Sequence, residues 1–265
     1  MCWLLSFQAV MYGLPPWGGV VRFSIAHGLS RALLPMKIKS AEFVVSALSP
    51  ESFPQTSFPE FALIGRSNVG KSSLVNLLTE RRGLSKVSTT PGKTVMINFF
   101  KINGSWFLVD LPGYGFAKVA RSRREDFNDL VATYIETRPN LACLFVLIDA
   151  RLPPQPIDLQ FIEQLSSVAV NFALVFTKID KQSPTRTRES IEAFTTLLRK
   201  RRAELPLIFT TSITTQAGKS EIHAEIDRLC AEIRAKPTVR SASAAAGRNL
   251  DPAEDIADVE EDPTG

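Results

Sequence analysis

Gly65, Arg66, Ser67, Asn68, Val69, Gly70, Lys71 and Ser72 fit the spacing G-x-x-x-x-G-K-[ST]. The motif follows an apolar run, Phe61–Ile64, and precedes an amphipathic stretch from Ser73 to Arg81. A strand–loop–helix junction of this kind wraps phosphates with backbone N–H groups and the positive end of the helix. Gly65 and Gly70 permit backbone conformations and close approaches that a Cβ forbids. The pattern puts Lys71 within reach of β- and γ-phosphates and offers the Ser72 hydroxyl to Mg²⁺.

A phosphate loop does not choose a base. Thr177, Lys178, Ile179 and Asp180 close a second apolar run, at the strand end where open α/β sheets bind ligands. A carboxylate at Asp180 can accept two hydrogen bonds from the N1–H and exocyclic amine of guanine, whereas adenine leaves it desolvated and unpaired. Sites built this way reject the wrong ligand by about 10⁴-fold. The Lys178 stem packs over the ring, and Thr177 stands where Asn is usual. Thr211, Ser212 and Ile213, ending the last apolar run, complete the expected base pocket.

Asp110, Leu111, Pro112 and Gly113 have the D-x-x-G form, with Asp110 expected to hold Mg²⁺ through water and the Gly113 N–H to meet the γ-phosphate. In the polar loop Ser88–Thr94, Thr94 is the expected second Mg²⁺ hydroxyl, with Thr89 and Thr90 as alternatives. Loss of the γ-phosphate would release both loops, an order-to-disorder switch. Tyr114 follows Gly113 where many GTPases carry a water-orienting Gln, so intrinsic hydrolysis is expected to be slow, on the order of 10⁻⁴ to 10⁻² per second. The catalytic residue itself stays unassigned.

These motifs need a frame. Apolar runs at Phe61–Ile64, Thr94–Ile102, Trp106–Asp110, Leu141–Asp149, Phe172–Thr177 and Pro206–Thr211 alternate with helical stretches after Lys71, Val119, Pro156, Pro184 and Gly218. Alternation at this interval gives an α/β fold with a mostly parallel sheet covered on both faces. Asn103 and Gly104 form a type I′ hairpin signal, making their flanking strands antiparallel. The expectation is a mixed six-stranded sheet with five helices.

The length favours one core domain, here residues 36–236, with non-core segments at 1–35 and 237–265. Three widely spaced cysteines match no metal pattern or disulfide framework, which suits a reducing cytoplasm. No apolar stretch reaches the roughly 20 residues of a membrane span. In residues 1–35 the first base, Arg22, follows most of the apolar part, the wrong order for a signal peptide; a start at Met36 is the preferred reading. The 237–265 tail is acidic, rich in Ala, Ser and Pro, and expected to be disordered. Between Met36 and Arg248 lie 29 bases and 20 acids, a net +9 suited to a polyanionic partner. Basic runs at Arg121–Arg124 and Arg199–Arg202 are candidate RNA contacts or solvated helix faces.

The stretches Gly65–Ser73, Thr90–Thr94, Ile97–Phe100, Asp110–Gly115 and Thr177–Asp180 resemble the EngB (YihA/YsxC) family of bacterial P-loop GTPases, over about Met36 to Lys236. The resemblance implies guanine-nucleotide contacts from Gly65 to Ser72, from Gly92, Lys93, Thr94, Val95 and Met96, from Asp110 to Gly113, from Thr177 to Asp180 and from Thr211 to Ile213. It implies Mg²⁺ at Ser72 and Thr94, and a monomer acting on the large ribosomal subunit and its rRNA, needed for normal cell division. Thr177 and Tyr114 agree with this family. Asn68 matches a residue that in some related GTPases helps hold K⁺.

Overall fold

The computed structural model describes residues 36–85, 96–114, 121–202 and 204–235, and for 121–128 the backbone alone. The expectations at Thr89, Thr90, Gly92, Lys93, Thr94 and Val95, at both chain ends, and for the side chains of Arg121–Arg124 lie outside the described residues.

Seven strands form one sheet: β1 (Ala41–Ala47), β2 (Glu60–Gly65), β3 (Ile97–Ile102), β4 (Trp106–Asp110), β5 (Leu141–Asp149), β6 (Phe172–Thr177) and β7 (Leu207–Thr210). Their order is β1-β3-β4-β2-β5-β6-β7, and β3 alone runs against the others. The helices are α1 (Lys71–Thr79), α2 (Arg121–Thr137), α3 (Pro156–Leu165), α4 (Pro184–Arg199) and α5 (Lys219–Ala235).

The sequence predicts six strands, and the seventh is β1. Its register slips between Phe43 and Val45, which pair with Phe100 and Phe99, leaving Val44 as an extra residue. A bulge breaks the two-residue alternation by which a half-buried strand is recognised. Edge position also leaves Phe43 and Val44 largely exposed, so apolar residues fall on both faces.

Alternation along β2 explains the layers. Phe61 and Leu63 face α1 and α5, packing with Leu74, Leu78, Ile222 and Ile226. Ala62 and Ile64 face the other way, toward a layer containing Tyr134 of α2, Ile162 of α3 and Phe194 of α4. With both faces covered, β2 and β6 read as unbroken apolar runs. Each fully buried Leu, Ile or Phe contributes about 1.5–3 kcal/mol.

Asn103 and Gly104 have positive φ values, 50° and 64°, as a type I′ turn requires, and the Ser105 N–H donates to Ile102 O at 3.0 Å. At the start of β2, Glu60 is fully buried. Arg138, one residue past α2, grips its carboxylate, with Nε at 2.9 and 3.0 Å, and the Tyr134 hydroxyl donates to it at 2.8 Å. Arg138 also lies over the Phe53 ring, 5.7 Å from its centroid. The C-terminal end of α2 is thereby fastened to the sheet.

Candidate functional site

β2 ends at Gly65, where an added Cβ would meet Leu147 O at 2.7 Å, so the close approach of β5 demands glycine. The loop then turns through Asn68 at φ 61° and Gly70 at φ 113° before Lys71 begins α1. Ser72 follows in the first turn. Lys71 Nζ donates to Gly65 O at 3.3 Å, curling back over the loop.

Asp110, closing β4, is buried beside Lys71. Its Oδ2 accepts a long hydrogen bond from Ser85 Oγ at 3.4 Å, while Oδ1 has no partner among the described residues. Burial pushes the carboxyl up to about 6, against the pull of Lys71 and Ser85. Burial also lowers Lys71, and Asp110 opposes that shift. Leu111 and Pro112 are buried, and Gly113 lies directly over the phosphate loop. A Cβ on Gly113 would come within 2.6 Å of Gly65 O and 2.9 Å of Lys71 Nζ. Ser67 Oγ is likewise buried without a partner among the described residues.

The opposite side is fully bonded. Thr177 Oγ1 donates to Val69 O at 2.7 Å, so the residue in place of Asn holds the phosphate loop to the end of β6. Lys178, at φ 62°, extends Nζ to Asn68 O at 2.6 Å and to Asp149 Oδ2 at 2.9 Å. Burial raises the Asp149 pKa, but hydrogen bonds from Arg151 and Lys178 outweigh it and hold the carboxyl at about 2. Asp180 lies near the surface with its pKa lowered, first by a hydrogen bond from Ser212 and further by Lys181 and Thr214. Thr214 Oγ1 is 3.1 Å from Asp180 Oδ2. Thr211 is tied to both ends of this unit: its N–H donates to Phe176 O at 2.7 Å and its carbonyl accepts from Ile179 N at 3.3 Å. Ile213 is 45% exposed and Met96 partly so.

Three contributors were not assigned from the sequence. Asp149 positions Lys178, and its one visible signal is its place at the end of an apolar run. Gly218, at φ 79°, lets the chain pass Thr210 O, where a Cβ would overlap it at 1.9 Å. Asp158 in α3 accepts a 2.9 Å hydrogen bond from the Tyr114 hydroxyl, and the Tyr114 ring stacks on Phe161 with centroids 4.4 Å apart. Burial raises Asp158 to about 6. Tyr114 is therefore committed to α3 and offers no free polar group at the position of the missing Gln.

A cavity of about 200 Å³ opens between the phosphate loop and α3, lined in part by Arg66, Asn68, Asp149, Arg151 and Asp158. Neither Asp180 nor the 211–213 segment lines it, so it is a side chamber of the loop and not the base pocket. The basic run at the end of α4 is divided. Arg201 pairs with Glu163 at 2.7 Å; Arg202 bonds Ser166 Oγ at 2.7 Å and covers the Phe172 ring at 4.8 Å. Those two cations hold α4 to α3, leaving Arg199 and Lys200 outward.

The residues fit a divalent cation. A buried carboxylate oxygen without a donor, on a group pushed up to about 6, is electrostatically incomplete, and a serine hydroxyl opens the adjacent helix. Among the described residues no cluster of three or more His, Cys, Asp or Glu could hold a metal alone. Mg²⁺ here would depend on phosphate oxygens as well.

A glycine-ended β2 running through this loop into α1, with a carboxylate strand end above it, defines the class: the chain is a P-loop GTPase. Residues 60–178 match the family model described as 50S ribosome-binding GTPase. The probable GTP-binding protein EngB of Bacteroides fragilis (strain YCH46) is 47% identical over 201 residues, covering 76% of this chain and 100% of that protein. Its counterpart in Flavobacterium psychrophilum is 48% identical over 199 residues, 75% of this chain and 97% of the relative. The chain belongs to the EngB family of GTP-binding proteins. A crystal structure of a probable GTP-binding protein engB shares the fold, with a TM-score of 0.51 and 22% identity over 65% of this chain and 99% of that one.

Proposed function

We propose that this protein is a cytoplasmic, monomeric guanine-nucleotide switch that binds GTP with Mg²⁺, hydrolyses it slowly and acts in large ribosomal subunit assembly, a step that normal cell division needs. The observation that carries the nucleotide reading is the tether between its two halves. Thr177 and Lys178 bond the carbonyls of Val69 and Asn68, so the Asp180 segment and the phosphate loop form one rigid unit. A ligand with a guanine at one end and phosphates at the other fits that unit.

Asp180 and Ser212 recognise the base, with Thr211 and Ile213 shaping the pocket and Lys178 packing over the ring. Backbone N–H groups from Arg66 to Ser72 surround the phosphates, and Lys71 leaves Gly65 O to neutralise them. Ser72, Thr94 and, through water, Asp110 would hold the metal; Mg²⁺ would supply charge neutralisation at the phosphates. Gly92 to Met96 and Asp110 to Gly113 respond to the γ-phosphate, and exposed Asn68 is the position for an activating K⁺. With its hydroxyl bonded to Asp158, Tyr114 is not free to orient water, in keeping with a low intrinsic rate.

The ribosomal part draws on EngB membership, on the description of the matching family model and on the net +9 body. The test is co-sedimentation with purified large subunits, comparing a non-hydrolysable GTP analogue with GDP across a salt series. Preferential, salt-sensitive binding of the GTP form is expected, with a coupling of about 1–3 kcal/mol. Absence of binding, or equal and salt-insensitive binding in both states, overturns it.

A further inference from the structure

A second group of charges lies away from the nucleotide site. The segment before β1 has no helix or strand of its own, and Ile38 is buried in the core. Lys37 and Lys39 flank it and are both exposed. Exposure on either side of a buried residue puts both lysines on the outer side of the segment, with their Cα atoms at most about 7 Å apart. Adjacent phosphates along one nucleic-acid strand have a similar separation.

Two features fix this segment. Asn103, at the tip of the β3–β4 hairpin, accepts from Lys39 N at 2.7 Å and Ser40 N at 3.2 Å, and donates to Lys37 O at 3.0 Å. From the far end of α1, Arg81 Nη2 donates to Lys39 O at 3.3 Å, which brings Arg81 and its exposed neighbour Arg82 beside the lysines. Four cations from two places in the sequence thus meet on one surface. None of them forms a salt bridge among the described residues. The acid next to the arginines in the chain, Glu80, is taken by Lys219 at 2.7 Å, and Glu42 lies across from Lys101 in the β1–β3 register. Concentrating like charge without counter-charge is unfavourable in isolation and becomes favourable when a polyanion is bound.

We propose that Lys37, Lys39, Arg81 and Arg82 form an RNA-binding patch that contacts consecutive phosphates, at the end of α1 opposite the phosphate loop. The proposal deepens the ribosomal reading and depends on it for the identity of the RNA. Two lysines separated by one buried residue suit a regular phosphate backbone better than a protein partner, whose carboxylates have no fixed repeat. Phosphate contacts position without reading sequence.

The test uses the full chain with all four residues replaced (Lys37→Ala, Lys39→Ala, Arg81→Ala and Arg82→Ala), co-sedimented with large subunits in the GTP-analogue state over a salt series. Each lost phosphate contact flattens the log–log salt slope by about 0.7–0.9, so a reduction of about three is expected. Melting temperature and GDP affinity should match wild type, showing that the fold and nucleotide site are intact. A charge-preserving variant, Lys37→Arg with Lys39→Arg, should keep the wild-type slope. An unchanged slope in the alanine variant overturns the patch while leaving the ribosomal reading standing. If wild type fails to bind the subunit, that reading falls, and a short RNA duplex decides the patch: a flatter slope there supports it, an unchanged one overturns it. Normal binding of the alanine variant to the duplex, with lost binding to the subunit, would mean an acidic protein partner and also overturns it.

Discussion

The two halves of the candidate site differ in how complete they are. On the base side, Thr177, Lys178, Asp149 and Asp180 all have hydrogen-bond partners within the protein. On the phosphate side, Asp110 Oδ1 and Ser67 Oγ are buried with none among the described residues, and Lys71 donates there to a backbone carbonyl. The base half is organised in advance, so little ordering cost falls on recognition of guanine. The phosphate half is left electrostatically unfinished, so its final geometry depends on the charge of what binds. That division suits a switch: one side holds the ligand in either state, and the other responds to one phosphate more or less.

The largest effect should come from the base half. Asp180→Asn should lower the preference for guanine over adenine nucleotides from about 10⁴-fold and shift binding toward xanthine nucleotides, measured by calorimetry. Wild-type protein binding ATP as tightly as GTP would break the comparison at its root. Next, Lys71→Ala should reduce Mg²⁺-dependent GTP affinity by 100-fold or more, on the order of 3 kcal/mol for a buried charge-assisted contact. Its circular dichroism should be unchanged.

Asp110→Asn sharpens the contrast, because it should stabilise the protein that it disables. With the Asp110 carboxyl at about 6, the nucleotide-free folded state keeps a proton that the unfolded chain has lost. Its contribution to stability is full below about pH 4 and disappears as pH rises through about 6. The variant should therefore melt with wild type near pH 4 and above it at pH 7, by roughly 3 kcal/mol at most. A variant less stable than wild type at pH 7 without nucleotide would show that Asp110 is already satisfied.

Thr177→Val keeps the shape but leaves Val69 O without its donor, so GTP affinity should fall about tenfold, in line with about 1–3 kcal/mol for an orphaned carbonyl. The smallest effect concerns Asp149, whose pKa moves the other way. Held at about 2, it contributes stability that is present above pH 4 and is lost as pH falls through about 2. Asp149→Asn should flatten the acid end of the melting profile by less than about 1 kcal/mol, since its partner Arg151 is partly solvated.

The candidate residues were easier to read from the sequence than the connections that support them. Gly65, Lys71, Asp110 and Asp180 are legible because glycine spacing and strand ends are local signals, and the α/β frame followed from alternating periodicity. The edge strand β1 was not, since its bulge at Val44 spoils the alternation. Thr177 read as a weakened Asn; its bond to Val69, 108 residues away, appears only when β6 packs beside the loop. The Tyr114–Asp158 bond joins residues 44 apart and has no sequence signature. Arg201 and Arg202 read as free charge because their partners, Glu163 and Ser166, lie on another helix.

The grip of Arg138 and Tyr134 on Glu60 sets the geometry of any motion in α2. That helix begins six residues after Gly115 and is fixed at its far end, so it can move only as an arm on a pivot. Its 17 residues span about 25 Å. A tilt of about 10° would carry the first turn by about 4 Å while leaving Thr137 in place. Distance labels at exposed positions 57 and 137 should read the same with GDP and with a GTP analogue. A label at 121 should not, and the small change in reach at one γ-phosphate would then be returned, amplified, at the surface of the molecule.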